Sequence, residues 1–169
     1  MADAAIDYGR YLLVFEVTGG QPVVDTRVSG DSDSFERDTN KLVLEEAEQL
    51  DAICRSLRND EKALTGCSAP PYRRLVPIVV PAGGYPSDAL ARSHVDDIVA
   101  EKGWLQDLEL EPLCVLDLSE VEILESLHEA HLNPGEILAH WKRSGLRNVG
   151  FKNFVQSRSE PEPAHLFAN

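Results

Sequence analysis

Two carboxylates near the start of the chain, Asp3 and Glu16, have the chemistry and the spacing to share a divalent cation. Glu16 lies within an apolar run, Tyr11–Thr18, that is typical of a strand buried on both faces. A buried carboxylate is strongly unfavourable unless it is paired or binds a metal. Mg²⁺ prefers oxygen ligands and needs only one or two carboxylates, with water and phosphate completing its shell. The simpler interpretation involves no metal: Asp3 is a solvated turn residue, and Glu16 is a glutamate at the end of a strand.

A hairpin is the element that must bring these two carboxylates together. The segment from Asp3 to Asp7 alternates in character and is followed by Gly9, a residue typical of turns. We expect this segment and the Tyr11–Thr18 run to form a β-hairpin that enters the centre of a sheet. Asp3 then lies beside the Glu16 end of a central strand, where metal-dependent chemistry on a phosphate is possible.

The remaining periodicity predicts an α/β protein with a mixed central sheet of four to five strands flanked by helices. Pro77 lies inside a buried run, which favours a bulge or an edge position for that strand. Ser119 and Glu122 have the spacing of a capping box. The further strands are predicted at 23–28, 75–80 and 113–116, and the helices at 35–57, 87–102, 119–131 and 136–142.

Composition indicates one ordinary globular domain. The chain has 169 residues, 43% of them hydrophobic and 27% charged. We expect the domain to cover residues 1–156 and a Pro- and Glu-rich, disordered tail to cover 157–169. No apolar run reaches the ~18 residues of a membrane span. Three cysteines without CxxC spacing, and no signal-peptide pattern, predict free thiols in the cytoplasm.

The net charge of −13 opposes non-specific binding to nucleic acid, but one segment near the end of the chain is basic. Residues 137–159 contain no acid, and aromatic residues alternate there with basic ones. Such a pattern is used for contacts with nucleic acid, whereas in the alternative the aromatics are core and the basic residues are solvated. We expect Trp141, Phe151 and Phe154 to be core, and both interpretations stay open for Lys142, Arg143, Arg147 and Lys152.

Two other patterns are weaker. Gly83 and Gly84 follow a predicted strand, but without GxGxxG or a P-loop lysine they favour a plain turn over a phosphate cradle. His128 and His131 are spaced i, i+3 on a predicted helix, yet no third ligand accompanies them, so exposed histidines are the better interpretation.

The stretch from Asp3 to Thr18 resembles the core of PD-(D/E)XK nuclease-like proteins, in which an Asp precedes an apolar strand that ends in Glu-x-Lys. Later segments are also similar to bacterial nuclease-like proteins of this kind. The resemblance covers most of the chain through short motifs, which are Glu48–Asp51, Val76–Val80, Leu113–Glu122, Trp141–Ser144 and Phe151–Phe154.

The resemblance implies a restriction-endonuclease-like fold and a nuclease that acts on DNA with Mg²⁺. Asp3 and Glu16 match the metal-binding carboxylates, and the Val17 carbonyl is a further ligand. Gln49 matches a glutamine on the following helix of some members. Thr18 stands where the family has its lysine, and a threonine hydroxyl cannot neutralise charge in the transition state.

The departure at Thr18 leaves three functions open. The chain is an active nuclease, an inactive nuclease-fold module that binds DNA or another protein, or an unrelated α/β domain that binds a protein through its acidic surface. Family members usually carry a helix before the first Asp, so we expect a truncated or diverged member. The oligomeric state cannot be predicted from these patterns.

Overall fold

The structure is a computed structural model, and it describes residues 2–22, 32–70, 72–86 and 88–159. Its centre is a four-stranded sheet in the order β1-β2-β3-β4. The first two strands are antiparallel, and the other neighbouring pairs are parallel. The strands are β1 (Ala4–Tyr8), β2 (Tyr11–Thr18), β3 (Arg74–Pro81) and β4 (Cys114–Val115). The predicted α/β class with a mixed sheet is confirmed.

The first two strands form the predicted hairpin. Tyr8 pairs with Tyr11, so the turn has two residues, and its Gly9 has a φ of 71°. A left-handed conformation of this kind suits glycine because it has no Cβ. The Asp7 side chain accepts a hydrogen bond from the Gly9 N–H at 2.7 Å. β2 therefore lies inside the sheet and β1 forms one of its edges.

Helices cover both faces of the sheet. Leu12 and Val14 of β2 belong to a core beneath the helices that connect β2 to β3 and β3 to β4. Leu13 and Phe15, on the other face, pack against the last three helices. The helices are α1 (Ser32–Thr39), a π-helical turn (Asn40–Leu44), α2 (Glu45–Thr65), α3 (Ala89–Lys102), α4 (Leu118–Glu129), α5 (Pro134–Arg143) and α6 (Phe151–Ser159).

Several predicted boundaries were wrong. The helix predicted at 35–57 begins at Ser32 and runs to Thr65, with a kink at Asp60. The capping box of α4 consists of Asp117 and Glu120 rather than Ser119 and Glu122. The helix α6 was not predicted, and it includes the first residues of the predicted tail. The predicted strand at 23–28 and residues 160–169 lie outside the described residues.

Pro77 lies in a central strand whose register with β2 runs without a bulge, so the prediction of a bulge or an edge position was wrong. The backbone groups of Leu75 and Val79 bond toward the β4 side of β3. Because these groups alternate along a strand, the Pro77 nitrogen also faces that side. The segment beside β3 forms one bridge, between Leu110 and Leu75, and pairs with β3 again only from Cys114. The missing N–H of the proline therefore falls in an interval without ladder bonds.

The cysteines are free thiols, as predicted: Cys54 and Cys114 are buried and Cys67 is exposed. The aromatic residues of the basic segment are core, also as predicted, because Trp141 and Phe151 are fully buried. No helix within the described residues has the length and apolar character needed to cross a membrane.

Candidate metal site at the end of strand β2

The hairpin places Asp3 and Glu16 side by side. The last pair of the ladder is Ala4 with Phe15, and Asp3 lies in a bend just before β1. Its Oδ2 accepts a hydrogen bond from the Val17 N–H at 2.8 Å, which holds the Asp3 carboxylate beside the Glu16 end of β2. The backbone N–H of Asp3 donates to the Phe15 carbonyl at 3.1 Å, which holds Asp3 at the end of β1.

The Glu16 carboxyl is buried and incompletely hydrogen-bonded. The residue is only 2% exposed, although it lies two positions before the end of the strand. Its Oε1 atom is fully buried and has no hydrogen-bond partner among the described residues. An ionised oxygen in this position is costly, because burial removes its water without a replacement. Oε2 of the buried Glu111 is also without a partner, but its Oε1 is paired with two arginines, and Glu120 is paired with Arg92. Glu16 differs from both because no arginine or lysine pairs with it among the described residues.

Helix α2 adds a glutamine and a third carboxylate to the same face. Burial raises the pKa of Glu16, and a hydrogen bond with Gln49 acts in the opposite direction. The negative charges of Asp3 and Glu46 raise the pKa of Glu16 further. Burial and the charge of Asp3 also raise the pKa of Glu46. We call Asp3, Glu16, Glu46 and Gln49 the carboxylate cluster.

Glu46 was missed in the sequence, although a signal for it was present. Residues spaced i, i+3 lie on the same side of a helix, and Glu46 has that spacing to Gln49. Once Gln49 is expected to face the strand end, Glu46 is expected there too. Lys41, in the π-helical turn before α2, is exposed to solvent.

The two residues after Glu16 have different settings. The N–H of Val17 donates to Asp3 Oδ2 at 2.8 Å. Because the N–H and C=O of one residue point to the same edge of a strand, the Val17 carbonyl also faces the Asp3 side. The Thr18 side chain shares the face of Glu16, and its hydroxyl oxygen accepts from the Gly20 N–H at 3.5 Å. Thr18 brings no positive charge to the cluster.

The glycines after β3 serve close packing of two turns. A Cβ on Gly83 would lie 2.0 Å from the Gly20 carbonyl oxygen, so only glycine allows the turns after β2 and β3 to touch. Gly84 has a φ of 90°, which also favours glycine. The packing of the two turns therefore explains Gly83 and Gly84 without a bound phosphate. His128 and His131 are exposed, and the His128 ring contacts Tyr8.

The four basic residues are not brought to the carboxylate cluster. Lys142 is 5% exposed and its Nζ donates to both Asp96 oxygens, at 3.0 and 3.1 Å. Arg143 donates to the buried Glu111 carboxylate. Arg147 and Lys152 are exposed. The helices that carry Lys142, Arg143 and Lys152 pack on the face of the sheet opposite α2.

The donor set of the cluster is small. Within the part of the chain that the structure describes, no group of three or more His, Cys, Asp or Glu side chains is placed to hold a metal ion. Asp3 and Glu16 provide two carboxylates, and Glu46 acts on them through its charge. Two carboxylates are too few ligands for an all-protein cage, so a divalent cation held here would keep most of its shell open to water or substrate.

No protein-family model, no curated protein and no solved structure matches this chain. Its class is therefore defined by the structure alone, as an α/β protein with a four-stranded mixed sheet among the described residues and a carboxylate cluster at the end of its second strand.

The raised pKa values of Glu16 and Glu46 predict how stability depends on pH. A carboxyl whose pKa is higher in the folded state binds its proton more tightly there. The free energy of unfolding is therefore expected to fall as the pH rises from the unfolded value, about 4.3, through the raised folded values. Urea unfolding between pH 4 and pH 8 measures this slope, and Glu16→Gln is expected to flatten it.

The matched control for this slope is Glu125→Gln, an exposed position on α4 away from the cluster. It is expected to leave the slope unchanged. A second effect acts only at lower pH: hydrogen bonding with Arg73 lowers the pKa of Asp7, and that contribution to stability is lost as the pH falls through its folded value. Equal slopes in the wild-type chain and Glu16→Gln would contradict the prediction.

Proposed function

We propose that the protein is a metal-dependent phosphodiester hydrolase of nuclease type, acting on DNA, in which Asp3 and Glu16 hold a divalent cation. The observation that carries this proposal is the buried Glu16 carboxylate, whose Oε1 has no partner among the described residues and which faces a second carboxylate across the hairpin. A cation would compensate both the lost hydration and the repulsion between the two charges.

The residues around the two carboxylates support a cation of the Mg²⁺ type. Every donor is a hard oxygen, and the Val17 carbonyl lies on the same side as Asp3. Gln49 hydrogen-bonds Glu16 and orients its carboxylate from the helix. When bound, the cation supplies Lewis-acid chemistry toward a phosphoryl oxygen. A restriction-endonuclease-like arrangement of the sheet and a cytoplasmic location are parts of the same proposal.

The chain's own residues divide the remaining work. Glu46 adds a carboxylate beside Asp3, and burial together with the charge of Asp3 raises its pKa, which favours a role in accepting a proton. Thr18 faces the same side as Glu16 and has a hydroxyl that can orient a polar ligand. Because it has no charge, transition-state stabilisation is expected to be weaker than in a site with lysine.

The test is cleavage of supercoiled plasmid DNA with Mg²⁺ or Mn²⁺. We expect slow, metal-dependent nicking that falls to background in Glu16→Ala, because the variant loses one of two carboxylate ligands. The matched control is Glu48→Ala, an exposed glutamate of α2 outside the cluster, which should keep the wild-type rate. Thermal unfolding followed by circular dichroism shows that both variants are folded.

A second candidate function is favoured by the position of Thr18 and by the basic residues. The cluster has no cationic side chain to stabilise a transition state, and Lys142 is buried against Asp96. In this second function the protein is a cation-binding module that associates with DNA or with a protein and does not cleave. Calorimetry separates the two. Mg²⁺ binding that Glu16→Ala abolishes, without cleavage at any protein concentration, establishes the module. If the chain shows neither Mg²⁺ binding nor cleavage, both functions are excluded.

A further inference from the structure

Strand β1 leaves one row of backbone groups without a strand partner in the described part of the chain. The Arg10 and Thr18 carbonyls accept bonds from the β3 side, so odd-numbered residues of β2 face β1. Their partners are the even-numbered residues of β1. Ala5 and Asp7 therefore point their N–H and C=O groups away from the sheet. A free edge of this kind is a template for another strand.

An apolar groove lies directly beside this free edge. It has a volume of about 520 Å³ and runs between β1 and α2. Ala4 and Ala5 form one wall, and Ala52 and Ile53 form part of the other. Because the two β1 residues that line the groove are alanines, the groove has room for the side chains of an added strand. None of the residues that line it is charged.

We propose that the β1 edge and this groove bind an extended peptide segment of a partner protein by strand addition, with small apolar side chains in the groove. Backbone hydrogen bonds to Ala5 and Asp7 provide affinity, and the groove selects alternate side chains. β1 extends over about 17 Å, and α2 extends about 12 Å from Gln49 to Leu57. A segment of four to six residues is therefore long enough to cover the groove.

Charge decides which occupant the site prefers. Glu45 and Glu48 are exposed one helical turn before the groove residues Gln49 and Ala52, and the exposed Asp3 stands between the groove residues Ala2 and Ala4 in the chain. This acidic end favours a peptide with a lysine or arginine beside its apolar residues.

A second copy of this chain is the less suitable occupant. Each copy has a net charge of −13. Antiparallel pairing of two β1 strands would bring Asp3 and Asp7 of both copies to one seam, and like charges that face each other across strands are destabilising.

The test is selection of a random dodecapeptide phage library on the full chain in EDTA, which keeps cations from the neighbouring carboxylates. We expect enriched peptides with alternating small apolar residues next to a basic residue. Ala5→Pro removes one outward N–H and keeps the bonds between β1 and β2, since edge strands tolerate proline. Affinity for the enriched peptides should fall about tenfold, as expected for one lost backbone hydrogen bond.

A second variant tests the groove itself. Ala52→Arg places a bulky cation in the groove and should abolish binding, whereas the matched Ala100→Arg, at an exposed position of α3, should not. The proposal is overturned if no peptide is enriched, or if the enriched peptides bind both groove variants as they bind the wild-type chain. Self-association of the wild-type chain that Ala5→Pro abolishes would overturn it in favour of a second copy.

Discussion

Glu120→Ala is expected to lower the free energy of unfolding by about 3–5 kcal/mol, the cost of removing one partner from a buried ion pair. Glu120 is 3% exposed, and both of its oxygens lie 3.1 Å from Nη2 of Arg92, which is 5% exposed. Oε1 of Glu120 also accepts the Phe151 N–H at 2.7 Å. The carboxylate therefore ties α3 and α4 to the start of α6.

Removal of the Glu120 carboxylate would affect several of its neighbours. The Arg92 guanidinium also donates to the Val115 carbonyl at 3.0 Å and lies over the Trp141 ring, 5.1 Å from its centroid. Without Glu120, a buried positive charge remains against this ring and the Phe151 N–H loses its acceptor. One half of the capping box is also lost, because Oε2 of Glu120 accepts the Asp117 N–H at 3.3 Å, whereas the Asp117 side chain keeps its bond from the backbone N–H of residue 120.

Urea unfolding followed by tryptophan fluorescence measures this prediction, because the buried Trp141 reports on the same core. The matched control is Glu122→Ala, on an exposed turn of the same helix, which should stay within about 0.5 kcal/mol of the wild type. The double variant Arg92→Met with Glu120→Leu should recover part of the loss. A loss below about 1 kcal/mol in Glu120→Ala would show that the pair is not needed.

The elements that the sequence predicted well are those with a single dominant signal. The runs at Tyr11–Thr18 and 75–80 are apolar at nearly every position, and both are central strands. The Gly9 turn fixed the hairpin register, which ends at the Ala4–Phe15 pair and so brings Asp3 beside the Glu16 end of β2. The geometry of the two carboxylates was therefore predictable, while their chemistry was not.

The predictions that failed depended on contacts between distant segments. The spacing of a capping box occurs at Asp117–Glu120 as well as at Ser119–Glu122, and burial of Glu120 against Arg92 selects the former. Lys142 is a basic residue in the sequence and a buried partner of Asp96 in the structure. Nothing local to Lys142 reveals Asp96, because the two residues are 46 positions apart and the tertiary packing brings α3 and α5 together.

Saturating Mg²⁺ is expected to stabilise the wild-type chain by about 2.7 kcal/mol at a concentration one hundred times its dissociation constant, because the ion binds only the folded state. Glu16→Gln should gain none of this. Without metal, the same variant should be at least as stable as the wild type near neutral pH. The amide removes a charge that burial and the neighbouring Asp3 and Glu46 disfavour, as the raised pKa of Glu16 indicates.

In Glu16→Gln the stabilisation by Mg²⁺ is lost, while the stability without metal is kept or raised. This combination distinguishes a metal site from a purely structural glutamate. Urea unfolding at pH 7.5 with MgCl₂, and with NaCl at equal ionic strength, measures both. Salt alone screens repulsion in the carboxylate cluster, so equal stabilisation by NaCl would show that no Mg²⁺ site exists there. Asp3→Asn, which keeps an oxygen for the Val17 N–H, should weaken the Mg²⁺ effect, and the exposed Glu48→Gln should leave it intact. If Glu16→Gln is instead destabilised without metal and the Mg²⁺ effect persists, Glu16 is structural and the cation binds elsewhere.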